Sequence, residues 1–147
     1  MSLQNLFRIG QLEEHETDLK QVCRMLESAE RSIADARQEM ISPETRLDAA
    51  YRAITQLCMV ALWANGARPA KSKPGHHQTM IQSLVHTVEL DRDRMSLLDT
   101  FRVKRNAIDY TGDDIDEASV DECIRAANGL FDTVSKWIGR NRPDLVP

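Results

Sequence analysis

Cysteine is scarce in this 147-residue chain: Cys23, Cys58 and Cys123, far apart and with no paired spacing. An odd, scattered set argues against a disulfide scaffold or a zinc framework and fits buried thiols in a reducing cytosol. Proline and glycine are also few, five and six, and they cluster where helices would end. No internal repeat or low-complexity tract is present. Aromatic residues are 5% of the chain, and no basic–aromatic interleaving surrounds Trp63 or Trp137. Both are therefore expected in the core or an interface rather than as base-stacking platforms. No apolar run is long enough to cross a membrane, and the start carries three glutamates by position 16. Neither a signal peptide nor a transit peptide is expected, and the chain reads as cytoplasmic.

What is present fits one domain. Apolar residues are 41% and charged residues 29%, the balance of a globular chain with a real core. The formal charge of −4 argues against a surface that is basic all round, but leaves room for a local basic patch. A single domain over 1–147 is expected, with 1–15 and 141–147 peripheral.

Spacing of three and four dominates, and no segment alternates with period two over a useful length. Leu19, Val22, Leu26, Ala29, Ile33, Ala36 and Met40 predict a helix over 19–40. Gly10 leaves it open whether that helix reaches back or a separate short one precedes it. Ser42 and Pro43 in "SPET" predict the start of a second helix, with a wide stripe from Leu47 to Leu62 and Gly66 as its left-handed stop. "ARPAKSKPG" reads as irregular loop. A third helix is expected over about 76–89, a fourth over 93–110, and a fifth over 117–139, with a frayed tail. The fold class is all-α: an up-and-down bundle of about five helices. Alternating directions would bring the end of the fourth helix to the 66–75 loop.

Charge is segregated. Residues 49–88 contain no Asp or Glu but include Arg52, Arg68, Lys71 and Lys73, while acids crowd into 109–122. A basic rim with His76 and His77 is therefore expected beside the end of the fourth helix. The bland account is that these charges only complement helix dipoles and that Arg105 pairs with Asp109 along its own helix.

"FRVKRNAIDY", residues 101–110, is the most informative stretch. Arg102, Lys104 and Arg105 crowd into four positions, and the stripe of Leu98, Phe101 and Ile108 places Arg105 on the dry face. With the long first helix, "AAYRAITQLCMVALWANGARP", "GHHQTMIQSL" and the closing "DECIRAANGLFD", the stretch resembles the HEPN superfamily (higher eukaryotes and prokaryotes nucleotide-binding) over most of residues 16–139. Many members are RNases whose motif is an Arg, then a polar residue, then a His four to six positions later, paired across a dimer. Arg105 and Asn106 match the first half. The His is missing: positions 110–112 are Tyr110, Thr111 and Gly112. Without it the proton transfers of RNA cleavage lack their ordinary carrier.

"RNAIDY" is similar instead to non-nuclease branches, which implies a non-catalytic nucleotide- or RNA-binding module. The resemblance further implies a homodimer, and a separate nucleotidyltransferase as partner in a toxin–antitoxin-like pair. Arg102, Lys104, Arg105, Asn106, Asp109, Tyr110, Lys71, Lys73, His76 and His77 are the candidate ligand-binding residues. No cofactor or metal is expected; adjacent His76 and His77 share one tetrahedral zinc poorly. The alternatives are a degenerate ribonuclease using Arg105 with Asp109, or with a His from the third helix, and a protein-interaction domain. His15, among glutamates, reads as solvated, and His86 as half-buried.

Overall fold

The computed structural model describes residues 2–71 and 76–147. The described residues form an all-α bundle of six helices with one small two-stranded sheet. Its elements are α1 (Leu3–Arg8), β1 (Leu12–Glu14), α2 (Leu19–Ala36), α3 (Pro43–Ala64), β2 (Ala67–Pro69), α4 (His76–Thr87), α5 (Arg92–Thr111) and α6 (Glu117–Asn141), then a 3-10 turn, Pro143–Leu145. Among the described residues no helix is long and apolar enough to cross a membrane.

The helix starts follow side-chain chemistry. Ser42, Asp91 and Asp116 each accept the backbone N–H three residues on, capping α3, α5 and α6, and Asp18 does the same for α2. Gly66, at φ +76°, ends α3 in the left-handed region as its position required. Gly10, at φ +78°, separates α1 from β1. The first long helix ends at Ala36 rather than 40, and Met40 is fully exposed. Its helical spacing was coincidental, because the chain must already be turning there to start α3 at Pro43.

Helix α3 is the axis of the bundle. Leu47, Ile54, Leu57, Cys58, Ala61 and Leu62 are fully buried, between α2 and α6 on one side and α4 and α5 on the other. Cys58 and Cys123 are buried free thiols, and Cys23 is half-buried.

Strict alternation of direction fails at one connection. Tyr51 of α3 meets His77 of α4, and Asn65 at the end of α3 donates to the carbonyl of Thr87 at the end of α4. The two helices are parallel. The reason is β2, part of the stretch expected to be loop. It pairs antiparallel with β1, Leu12 opposite Pro69 and Glu14 opposite Ala67, and carries the chain back along α3 before α4 begins. Pro69 has no N–H to give and tolerates the edge of so short a sheet. Three-residue strands leave no usable period in the sequence. Helix α5 then descends, so its C-terminal end lies beside the first turns of α3, at the opposite end of that helix from Gly66.

The tail is docked rather than frayed. Leu145 is 2% exposed, and Arg142 donates to the carbonyl of Ala64 at 2.8 Å while gripping Asp144 with two bonds. One apolar side chain and one guanidinium on an orphan helix carbonyl suffice to hold five residues.

Candidate functional site

Arg105 is not in the dry interior. Its side chain is 33% exposed, although Leu98 and Phe101 on the same stripe are buried. The stripe is real for two turns. Beyond them the cover thins: Ile108 packs against the core only partly buried, where α5 passes the first turns of α3. Arg105 Nε donates to Asp48 of α3 at 3.2 Å, and a second nitrogen lies 4.0 Å from Asp109. The guanidinium carbon lies 5.5 Å from the centre of the Tyr51 ring, within cation–π range. All of these acceptors come from the chain itself.

Tyr51 is the hinge of the site. Its hydroxyl is 3.1 Å from Nδ1 of His77, and the two rings are tilted at 5.6 Å. Burial is the largest cause pushing the Tyr51 phenol above its ordinary range, so it keeps its proton at any ordinary pH. Burial is also the main cause lowering the pKa of His77, with Arg105, His76 and Arg102 adding to it. The two neutral groups complete one hydrogen bond, donated by the phenol to Nδ1 in one imidazole tautomer and by Nδ1–H to the phenol oxygen in the other.

The structure thus brings Arg105, Arg102 and His77 around Tyr51, with Asp109 reached only through Arg105. Arg102 is held by both oxygens of Asp99, at 2.7 and 3.2 Å. Two arginines face three carboxylates here (Asp48, Asp99 and Asp109), so Arg102 and Arg105 are matched by acids of the same chain. Other candidates lie apart. Lys104 turns to the Ser119 hydroxyl of α6 at 3.3 Å. Tyr110 is 88% exposed. Asn106 is half-buried, with no side-chain hydrogen bond among the described residues. Lys73 lies outside the described residues.

His77 also borders an open groove of about 460 Å³ between α2, α3, β2 and the start of α4. Lys71 and His76 share its mouth, and Met25, Met59, Trp63 and Met80 form its floor. Lys71 pairs with no carboxylate among the described residues, whereas Arg68 is tied to Glu13 at 3.1 Å. His15 is not solvated: its ring stacks on Trp63 with centroids 5.4 Å apart, and Nε2 is 3.2 Å from the Gln21 side chain. Among the described residues no three of His, Cys, Asp and Glu converge as metal ligands.

Sequence reasoning missed Tyr51, Asp48 and Asp99. Tyr51 sat on the apolar stripe of α3 and was indistinguishable from core. Asp48 and Asp99 became partners only through helix packing. The acid-free run 49–88 was the one usable signal for the groove, because α3, β2 and α4 supply most of its wall. No protein-family model, curated protein or solved structure matches this chain.

Proposed function

We propose that the chain is a non-catalytic, HEPN-like module that binds a nucleotide or RNA through Lys71, His76 and His77. The observation that carries the reading is the convergence of His77, Tyr51 and Arg105 from three helices beside a groove whose lining holds no carboxylate. Phosphate would meet Lys71 and the start of α4, and Arg105 would act behind Tyr51 to keep His77 oriented. Arg102 and Arg105 are matched by their own aspartates and add little net attraction. The resemblance adds a homodimer and a separate nucleotidyltransferase partner to this proposal.

A ribonuclease reading keeps one specific support. The missing His of the motif has a spatial substitute in His77, which reaches Arg105 through Tyr51. Against it, the motif's own His is absent, and Asp109 lies 4.0 Å from the Arg105 guanidinium. Mixed RNA incubated with wild type, Arg105→Ala and His77→Gln separates the readings. The module reading expects binding without cleavage, and weaker binding in His77→Gln. Cleavage lost in both variants would overturn it in favour of the enzyme. No binding of RNA or AMP at low salt would overturn it in favour of a protein-interaction domain.

A further inference from the structure

The groove beside His77 has a chemistry that nucleotide binding does not explain. Three of the chain's six methionines, Met25, Met59 and Met80, line it together with Trp63. Thioethers with free rotation make a conformable, polarisable floor suited to an apolar body. The two amides in its lining are partly engaged: Gln56 through both its oxygen and its nitrogen, Gln21 through its oxygen alone. Gln56 accepts from Ser32 at 3.1 Å and donates to Ser28 at 2.8 Å. The Gln21 oxygen accepts from Thr17 at 2.8 Å. A base buried here would leave its polar edge largely unmatched, which is costly away from water.

Charge in the lining, by contrast, is of one sign. Lys71, His76 and His77 border the mouth, and none of the lining residues is acidic. Nε2 of His76 is shielded from solvent yet has no hydrogen-bond partner among the described residues. The Lys71 ammonium, with no carboxylate partner among the described residues, is suited to an incoming anionic oxygen. The volume lies within the range that takes small organic ligands.

We propose that this groove is a binding site for a free medium-chain alkyl carboxylate, its head at Lys71 and His76 and its chain along Met59, Met25 and Trp63. The site does not rest on the nucleotide reading: it needs no phosphate contact and no RNA.

The test is calorimetric titration of the full chain with octanoate, 1-octanol and AMP, in wild type, Lys71→Gln and Met59→Gln. Circular dichroism checks that each variant folds. The expected result is saturable one-to-one octanoate binding, weakened about fivefold by Lys71→Gln. Met59→Gln should weaken octanoate and octanol alike, and octanol should bind less tightly than octanoate. Octanol binding as tightly as octanoate, or a folded Lys71→Gln with unchanged affinity, would overturn the assignment of the head. Absence of octanoate binding below its micelle-forming range would overturn the site. AMP binding in that last case would leave the nucleotide reading standing alone.

Discussion

Arg46 offers the sharpest test of how the bundle is held. It lies on the first turns of α3, 6% exposed, and its Nε donates to the carbonyl of Ala36 at 2.7 Å, closing the end of α2. A further nitrogen reaches Asp121 of α6 at 3.9 Å, but the Asp121 side chain is 57% exposed. Arg46→Met keeps an unbranched apolar stem and removes the guanidinium. The Ala36 carbonyl then loses its partner in a buried setting, a cost of about 1–3 kcal/mol. The Asp121 arm, long and half in water, adds no more than about 0.5 kcal/mol. Relief of the guanidinium's own desolvation offsets part of this, leaving a net loss of about 1–2 kcal/mol. In a domain of this size that lowers Tm by roughly 3–6 °C. Thermal unfolding followed by circular dichroism reads it directly. A Tm for Arg46→Met within about 1 °C of wild type would show that the Ala36 bond carries no weight. Asp121→Asn costing as much as Arg46→Met would be equally damaging, since the weight would then lie on the ion pair.

The same geometry sets further outcomes. Glu89 holds φ 57° just after α4, where Val88 and Leu90 both donate to the Leu84 carbonyl. Glu89→Gly should therefore stabilise by about 1 kcal/mol, read as a higher urea midpoint. Leu145→Ala should cost about 2–4 kcal/mol if the tail is docked as described; a loss below about 0.5 kcal/mol would return it to a frayed end. Burial is the first cause holding the pKa of both His77 and His86 below the ordinary imidazole value. The unfolded chain then takes up protons first as the solution is acidified, so stability present above about pH 6.5 is lost as pH falls below it. His77→Gln should flatten that decline, and an unchanged Tm–pH profile would remove His77 from it. Arg105→Gln should raise the His77 pKa measured by NMR, because one of the cations depressing it is gone; no rise would deny their coupling.

Much of the fold was legible because it is local. Ser42, Pro43 and Gly66 bracket α3, and the breadth of its stripe foretold burial on several sides. The direction of α4 was not local. It depends on β2 pairing with β1 across more than fifty positions of sequence, and three residues per strand carry no period. The candidate site divides the same way. The 3–4 spacing put Arg105 on the right stripe, but how far along α5 that stripe stays covered depends on where α3 begins. His77 and Arg105 do come together, by a route other than the one expected: a parallel α4 brings its first turn to Tyr51. A docked tail was unreadable because Leu145 is a single apolar residue whose socket is built by α2 and α6.

Whether the mouth of the groove binds RNA is decided by the salt dependence of affinity for a short single strand, in wild type and Lys71→Gln. Binding at Lys71, His76 and His77 predicts affinity that falls with salt, and a log–log slope reduced by roughly 0.7 when the Lys71 contact is removed. An affinity indifferent to salt, or a slope that Lys71→Gln leaves unchanged, would rule that site out.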